Sequence, residues 1–520
     1  MTRLFDRKFA GLPGCLCRYL PSRKLGRGLL FAALAVGVGI SILLSAQTSN
    51  AVQPAANSSL SNSYCQLSPA EITQTSTLHQ AALKGDAAAQ QQYQALVQQH
   101  AQQLNQCRRQ TWPQSQAIWL RLYPCDALNG VVDELLDRIV SRGYNEVYLE
   151  VFYNGQVLLP SAQNPTVWPA VIRTAGHETT DLLAQTIALG HQRGLKVYAW
   201  MFTLNFGYTY SQRSGTEQVL ARNGSGDSSL TAHPPEVEGP QVNADETFVD
   251  PYSLQAKQDY GTLLQAILQR RPDGVLFDYI RYPKGTGSAS VASRVQDLWI
   301  YGASAQQALL NRALNQKGAG LIQQYLSRGY VSAGDLDNLN DLYPQEPTPL
   351  WQGLNPKDSA SVSSWQDELW RLSIAHAIQG ILDFLNLAIA PVEQLGLKAG
   401  AVFFPDGNQT VGAQGFDSRL QPWDRFPSKI EWHPMSYAIC PDSSCIVAQI
   451  QRVISQAPAG TDIQPALAGV WGQALNNHPP LEQQMQAIQH AFPQIQSVSH
   501  FAFAWQEPEF DRNRKFCKLQ

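Results

Sequence analysis

The chain has 520 residues, of which 44% are hydrophobic and 15% charged, so it can bury a sizeable core and is not globally disordered. The formal net charge of −3 hides an asymmetry, because residues 1–28 carry seven Lys/Arg and one acid. The remainder holds 31 bases and 40 acids, a net charge of −9. This mildly acidic body argues against a nucleic-acid binder, which would need basic surfaces.

An uncharged apolar run at residues 29–46 follows this basic segment directly. A basic flank, an apolar stretch and then small residues form the pattern of an export signal, and Ser49-Asn50-Ala51 offers a cleavage site. An uncleaved membrane anchor is the alternative, since about 18 residues approach the length that spans a bilayer. A buried core helix is a weaker alternative. The positive-inside rule predicts a cytosolic N-terminus and a body exported to the periplasm or beyond.

Six cysteines follow the apolar run, and an even number in an exported body indicates disulfides. One pair brackets a predicted helical hairpin, a second could close a small loop, and the last would tie the start of the main domain to its end. The hypothetical pairs are Cys65–Cys107, Cys440–Cys445 and Cys125–Cys517. Other connectivities stay open. A zinc site is the weaker alternative, because the sequence holds no CxxC pair and no HExxH.

Composition divides the chain into four parts. Residues 1–51 form the basic leader with the signal peptide or anchor, and residues 52–64 read as a Ser/Asn/Gln/Pro-rich linker. Residues 65–112 are rich in Ala, Gln and Leu with a break at Lys84-Gly85-Asp86, which predicts a helical hairpin. Residues 113–520 form the main domain.

In the main domain, strand-like and helix-like segments alternate. The strands are apolar runs, as expected of a parallel sheet buried on both faces. Eight such strands with helical crossovers predict a (β/α)8 TIM barrel. A doubly wound open sheet is the alternative, and the absence of GxGxxG after the first strand argues against it. The predicted strands are Ala117–Tyr123, Glu146–Tyr153, Lys196–Leu204, Val275–Tyr282, Lys398–Phe404, Ile430–Tyr437, Pro465–Trp471 and Val498–Trp505. The predicted helices are Val131–Ser141, Asp181–Arg193, Leu254–Arg270, Trp365–Leu395, Cys445–Gln456 and Pro480–Phe492.

Three connections differ from the regular pattern. The crossover from the fifth to the sixth strand is poorly helical. Residues 205–247 and 284–364 are long insertions that both follow strands, so we expect both above the carboxyl-end face, where long loops usually shape a substrate cleft. Insertions without contact to substrate are the alternative.

The run DGVLFDYIRYP at residues 273–283 ends a predicted strand with polar groups that a buried strand does not need. It places Asp278 and Arg281 at the carboxyl end of a parallel sheet, where such folds carry their chemistry. An aspartate that caps the next turn, with Arg281 as its ion-pair partner, is the structural alternative.

Carboxylates dominate the ionisable groups near the predicted strand ends, and no Ser-His set is present. Glycoside hydrolysis needs paired carboxyl groups, one protonated and one ionised. We therefore expect Asp278 to be catalytic, with Glu507 or Glu431 as its partner. Glu431 begins its strand, so a structural role is equally open. Glu150 lies mid-strand and is expected to form a structural ion pair with Arg121.

Aromatic side chains also gather at the predicted strand ends. Sugars present flat apolar faces that aromatic rings can cover while the hydroxyls stay free to hydrogen-bond. For any one ring, core packing is the alternative. The predicted substrate-binding residues are Arg281, Tyr279, Tyr153, Trp200, His433, Tyr437, Trp471 and Trp505.

Several blocks of the main domain resemble the TIM-barrel glycoside hydrolases called glycosyl-hydrolase-like family 10. These blocks are VYLEV at 147–151 with Leu159-Pro160-Ser161, GLKVYAW at 194–200, FVDP at 248–251 and the run at 273–283. HPMSY at 433–437 is similar to a neighbouring family of barrel glycosidases. The resemblance covers roughly residues 115–510 and implies a carbohydrate-active enzyme with Asp278 as catalytic acid. Glu431 stands where the relatives commonly have Asp, and the insertion at 284–364 is unusually long.

These observations together predict an exported glycoside hydrolase that acts on an envelope or extracellular polysaccharide. Its expected partner is a poly- or oligosaccharide, with the membrane as a second partner if residues 29–46 stay uncleaved, and we expect no nucleic acid. No metal or cofactor motif stands out in the sequence. A non-catalytic glycan-binding barrel and a membrane-tethered scaffold are the alternative functions.

Overall fold

A computed structural model describes residues 64–232, 246–354 and 361–519. The basic leader, the apolar run at 29–46 and the linker up to residue 63 lie outside the described residues, and so does the choice between a cleaved signal and an anchor.

The strands of the described chain belong to one large and one small sheet. They are β1 (Ser115–Leu120), β2 (Glu146–Tyr153), β3 (Gln156–Val157), β4 (Lys196–Phe202), β5 (Gly274–Asp278), β6 (Val291–Ala292), β7 (Lys398–Phe403), β8 (Thr410–Val411), β9 (Gly415–Asp417), β10 (Glu431–Ser436), β11 (Ala466–Ala468) and β12 (Ser497–Phe501).

Eight parallel strands close into a barrel in the order β1-β2-β4-β5-β7-β10-β11-β12. The ring is closed because β1 pairs with β2 on one side and with β12 on the other. This closure confirms the predicted (β/α)8 barrel and excludes an open sheet. β3 adds a short antiparallel ribbon to β2, and β6, β8 and β9 form the small sheet.

Helices fill most of the crossovers. They are α1 (Pro69–Leu83), α2 (Ala87–Gln110), α3 (Val131–Ser141), α4 (Leu182–Gln192), α5 (Tyr208–Ser211), α6 (Leu254–Leu268), α7 (Ala303–Leu310), α8 (Gln316–Arg328), α9 (Ala333–Leu342), α10 (Val362–Gln394), α11 (Ser444–Gln456), α12 (Leu481–Ala491), α13 (Phe503–Gln506) and α14 (Pro508–Phe516). Between β7 and β10 only short strands and a turn of 3-10 helix at Trp423–Arg425 occur, as the poorly helical pattern predicted.

Helix α3 shows why the local sequence folds in this way. Its apolar residues recur at helical spacing and are buried against the barrel, while Asp133 and Glu134 occupy the first turn and Arg138 the last. That charge order is favourable for the helix dipole. The observed bounds of α3 and of β2 are those that the sequence predicted.

The insertion at 284–364 is largely helical, and one buried acid anchors it. Asp250 accepts hydrogen bonds from the backbone N–H groups of Tyr252 and Ala305, each at 2.9 Å, and so joins the start of α6 to the start of α7. Burial raises the pKa of Asp250 to about 6. The aspartate of the FVDP block therefore has a structural partner on each side.

Among the described helices, α10 is long and apolar enough to cross a membrane by length and composition. In this fold it is a core helix. Its Phe384 ring lies 5.4 Å from that of Tyr260 on α6, and its Ala377 carbonyl accepts a hydrogen bond from Tyr282 at 3.3 Å.

Helices α1 and α2 form a hairpin that breaks at the predicted point, where Asp86 caps α2 by accepting from the backbone of Ala88 and Ala89. Buried Arg108 docks this hairpin by donating to the carbonyls of Tyr64, Pro113 and Gly143. The three expected disulfides are present, namely Cys65–Cys107, Cys125–Cys517 and Cys440–Cys445.

Candidate active site

Asp278 ends β5 at the carboxyl end of the barrel, where it is only 6% exposed. Its Oδ1 accepts the backbone N–H of Tyr279 at 2.6 Å, and its Oδ2 accepts the indole N–H of Trp200 at 3.1 Å. Both carboxyl oxygens are therefore held by neutral donors on the fold itself, which fixes the orientation of the group.

Burial raises the pKa of the Asp278 carboxyl to about 6. The hydrogen bonds from Tyr279 and Trp200 and the charge of Arg281 oppose this rise, while the charge of Glu150 adds to it. A carboxyl with this pKa keeps a substantial protonated fraction in mildly acidic to neutral solution, as a general acid must.

Tyr279 and Arg281 wall the site on the β5 side. Tyr279 has a φ of +53°, which a bulky residue rarely adopts and which marks a position where the surrounding structure imposes the conformation. Its ring lies 4.3 Å from that of Phe202, and the Arg281 guanidinium lies 4.6 Å above it. Arg281 is only 6% exposed, so its guanidinium does not extend into solvent. Its charge acts on Asp278 by lowering the pKa of that carboxyl.

The expected ion pair between Glu150 and Arg121 is present. Arg121 Nη2 donates to Glu150 Oε1 at 3.0 Å, and its guanidinium lies 4.3 Å above the Tyr153 ring. Burial raises the pKa of Glu150, and the adjoining guanidinium opposes this rise. Glu150 lies opposite Trp200 in the pairing of β2 with β4, so a single strand separates it from Asp278.

Glu431 lies deeper in the barrel, at the amino end of β10. It accepts a hydrogen bond from Tyr198 at 3.4 Å and lies 3.9 Å from the ammonium of Lys398, which begins β7. Burial acts to raise the pKa of Glu431, but His433, Lys398 and Lys196 outweigh burial and lower it. The structure thus surrounds Glu431 with ion-pair partners, in keeping with the structural role that the sequence left open.

Glu507 binds two arginines of the α3 region. Its Oε2 lies 3.1 Å from Nη1 of Arg138, and its Oε1 accepts from Nε of Arg142 at 2.9 Å. The predicted eighth strand ran to Trp505, whereas β12 ends at Phe501 and the chain turns into α13. This earlier turn directs Glu507 to α3, where it connects the C-terminal helices to the barrel wall.

Two of the predicted substrate-binding residues are engaged elsewhere. His433 is fully buried inside the barrel, with its ring 5.4 Å from that of Tyr148. Trp471 packs in a separate apolar cluster, where its ring lies 5.1 Å from that of Tyr64 and its N–H donates to Tyr144 at 3.2 Å.

The remaining aromatic residues divide into supporting and accessible groups. Trp200 and Tyr153 are buried. Trp200 donates to Asp278, and Tyr153 lies under the Arg121 guanidinium while its hydroxyl donates to the Leu122 carbonyl at 3.2 Å. Both rings therefore support a charged neighbour. Tyr437 and Trp505 are partly exposed. Burial raises the pKa of the Tyr437 hydroxyl, and the charge of Asp278 adds to that rise.

Sequence reasoning missed Glu246, which lies in the long connection after β4. Its Oε1 is 3.5 Å from the Tyr279 hydroxyl. Burial raises the pKa of Tyr279, and Glu246 is the largest charge that adds to this rise. Because Glu246 belongs to a Gly/Ser/Pro-rich segment with no apolar pattern, nothing in the sequence related it to the strand ends.

No protein-family model and no curated protein matches the chain. Solved structures similar to it include the glycoside hydrolase domain of PgaB (BpsB) from Bordetella bronchiseptica, with 15% identity, a TM-score of 0.45 and coverage of 78% of this chain and 99% of that chain. A GH18 chitinase from Pseudoalteromonas aurantia has 11% identity, a TM-score of 0.32 and coverage of 75% and 94%. An inactive mutant of a GH20 exo-β-N-acetylglucosaminidase from Vibrio harveyi has 11% identity, a TM-score of 0.37 and coverage of 78% and 52%. These neighbours are glycoside hydrolases.

Proposed function

We propose that this protein is an exported glycoside hydrolase that cleaves an envelope or extracellular polysaccharide with Asp278 as its general acid. The observation that carries the proposal is the Asp278 carboxyl, buried at the barrel mouth with a pKa raised by burial to about 6. Such a group can protonate the leaving glycosidic oxygen, and hydrogen bonds from Trp200 and Tyr279 hold it in one orientation.

Glu150 is our candidate for the second carboxyl group, in place of Glu431 and Glu507. Glu150 lies on β2, which β4 separates from β5 and Asp278. The charge of Glu150 adds to the rise in the pKa of Asp278. The bound Arg121 favours the ionised form of Glu150. In its ionised form, Glu150 would stabilise the oxocarbenium-like transition state of glycoside cleavage.

Export to an oxidising compartment is part of the proposal. Three disulfides fit a periplasmic or extracellular location, because such bonds persist where thiols are not kept reduced. The signal peptide or anchor at residues 29–46 supplies the route, and an uncleaved anchor would hold the enzyme at the inner membrane.

A glycan-binding protein without turnover is the second candidate. The observation that favours it is that Glu150, Glu431 and Glu507 all sit in ion pairs. Among the described residues, this leaves Asp278 as the one of these four acids without an ion-pair partner, so a second free carboxyl group for hydrolysis is missing. This candidate predicts saccharide binding that is indifferent to the loss of the Asp278 proton.

The test is Asp278→Asn in the full chain, with reducing-end release measured on a panel of neutral and amino-sugar polysaccharides. We expect a loss of about 10²- to 10⁴-fold in turnover, with the fold and polysaccharide binding retained. Glu507→Gln is the matched control, since it makes the same chemical change in an ion pair on α3 and should preserve turnover. Full activity of Asp278→Asn would overturn the proposal, and binding without turnover in the unaltered protein would support the second candidate.

A further inference from the structure

A row of four rings, here called the aromatic track, leads away from Asp278 across the carboxyl-end face. Its members are Tyr437, Phe501, Trp505 and His478. The ring centroids of neighbouring members are 5.7 Å apart for Tyr437 and Phe501, 6.0 Å for Phe501 and Trp505, and 6.3 Å for Trp505 and His478. The rings therefore form a continuous series.

The fold brings the track together from three adjacent strands. Tyr437 follows the end of β10, Phe501 ends β12, and Trp505 lies in α13 directly after it. His478 belongs to the connection that follows β11, the strand between β10 and β12 in the barrel. All four positions follow the carboxyl ends of their strands, so the track lies on the same face as Asp278.

Tyr437 is the member of the track nearest to Asp278 in the barrel order, because β7 alone separates β10 from β5 and both residues stand at the carboxyl ends of their strands. The charge of Asp278 also adds to the rise in the pKa of the Tyr437 hydroxyl. The β5 side of the site is walled by Tyr279 and Arg281, and the β1–β2 side by the ion pair of Arg121 with Glu150. The track occupies the sector of the mouth from β10 to β12.

Three of the four rings of the track are partly open to solvent, unlike the aromatic core beneath them. Tyr437, Phe501 and Trp505 are each partly exposed, whereas Trp119 and Tyr148 inside the barrel are 2% and 1% exposed. Core packing does not explain why three neighbouring aromatic rings at the mouth of the barrel stay partly exposed. Such rings suit a ligand with flat apolar faces.

The far end of the track offers a polar group. His478 is 6% exposed, and its Nδ1 has no hydrogen-bond partner among the described residues. A tight turn holds it in place, because Leu475 and His478 exchange backbone hydrogen bonds across Asn476 and Asn477, both in the left-handed region. A buried, unpaired ring nitrogen is costly, and a ligand hydroxyl would satisfy it.

We infer that the aromatic track binds consecutive sugar units of a polysaccharide chain, so that the protein acts on an extended glycan rather than on a single terminal sugar. The inference rests on the proposed function for the position of the reacting bond. Sugar faces lie on Tyr437, Phe501 and Trp505, and a hydroxyl of the most distant unit bonds to His478.

The experiment measures binding separately from catalysis. Ladders of cello-, malto- and chito-oligosaccharides, from the disaccharide upwards, are titrated into the Asp278→Asn protein by calorimetry, with and without Trp505→Ala. We expect affinity for at least one ladder to rise with chain length, and Trp505→Ala to weaken the longest member by about tenfold while leaving the disaccharide unaffected. Trp505→Phe keeps a ring and should retain most of the dependence on length.

Trp112→Ala is the matched control, because Trp112 is partly buried at the opposite end of the barrel, where its N–H donates to the Ile495 carbonyl. It should leave the dependence on length unchanged, and circular dichroism should show both alanine variants folded. Affinity that does not rise with length on any ladder, or that rises equally with and without Trp505, would overturn the inference. Turnover retained by Asp278→Asn alongside an intact dependence on Trp505 would overturn the proposed catalytic role and leave the track in place.

Discussion

The two ends of the barrel interior both hold buried carboxyl groups, and their surroundings give them opposite properties. At the carboxyl end, Asp278 receives hydrogen bonds from two neutral donors, and burial raises its pKa. At the amino end, burial of Glu431 is outweighed by His433 and two lysines, so its pKa is lowered. Burial alone does not make a catalytic acid, since the charge of the nearest partners decides which form is stable.

The largest expected effect is on turnover. Asp278→Asn should lower kcat/KM by about 10²- to 10⁴-fold, because the amide cannot donate the acid proton. Glu431→Gln should change kcat/KM by no more than a few-fold, because Glu431 lies among partners at the amino end. Initial rates of reducing-end release compare the two variants, and equal losses would contradict the assignment of chemistry to one end.

The next effect is on stability, through the ion pair of Arg514 with Asp126. Arg514 Nε donates to Oδ1 of the fully buried Asp126 at 2.7 Å, and Nη2 donates to the carbonyl of Arg121 at 3.0 Å. Arg514→Ala should lower the free energy of unfolding by about 3–5 kcal/mol, because it leaves Asp126 buried without its cation.

Urea unfolding measures this loss, with Arg294→Ala as the control. The exposed Arg294 pairs with Asp297 at 2.8 Å, and such surface pairs contribute about 0–1 kcal/mol. Similar losses in the two variants would show that burial of the Asp126 pair is unimportant.

The pH dependence of stability should differ in sign between the two acids. The pKa of Asp278 is near 6 in the folded chain and about 3.9 in an unfolded one, so its contribution favours folding at low pH and is lost as the pH rises from about 4 to about 6. Asp278→Asn does not titrate, and it should gain stability relative to the unaltered protein over this range, by at most about 3 kcal/mol.

Glu431 should behave in the opposite way, because its folded pKa is lowered. Its stabilising contribution is present above the unfolded pKa of about 4.3 and is lost as the pH falls through the folded value. Urea midpoints of Asp278→Asn and Glu431→Gln, measured at several pH values, should diverge from the unaltered protein in opposite senses. Parallel curves would contradict the comparison.

The smallest expected effect is a shift in the pH dependence of kcat/KM when Arg281 is replaced. If Asp278 donates its proton, kcat/KM should fall by about tenfold for each pH unit above about 6, because only the protonated fraction is active. Arg281→Gln removes a cation that lowers the pKa of Asp278, so it should move this limb to higher pH. A limb that stays in place after that substitution would show that another group controls it.

Much of the fold could be predicted because its elements have strong local patterns. β2 is an apolar run throughout, and α3 repeats its apolar residues at helical spacing, so both were predicted with their observed bounds. The end of β12 could not be predicted in this way, because the sequence of residues 501–505 is equally compatible with a strand and with a helix. Because of that local ambiguity, the sequence predicts Glu507 at the barrel mouth, whereas the structure places it beside α3, where Arg138 and Arg142 bind it.

The site could be predicted only where strand position determines it. The sequence predicts the strand-end position of Asp278 because the strand has a recognisable sequence. It predicts the pair of Glu150 with Arg121 because adjacent strands bring the two residues together. Glu246 and His478 were not found, since each reaches the site through a connection whose path depends on tertiary packing. Trp471 was placed at the mouth for its strand-end position, but packing turned it to an outer cluster.

The pairing of β1 with β12 makes completion of the ring depend on residues 497–501. A fragment that stops before this segment would leave β1 and β11 each with one unpaired edge, because β2 and β10 remain as their other neighbours. Such open borders are templates for joining with other polypeptides. Truncated forms of this chain should therefore self-associate, and residues 497–501 protect the protein against that outcome.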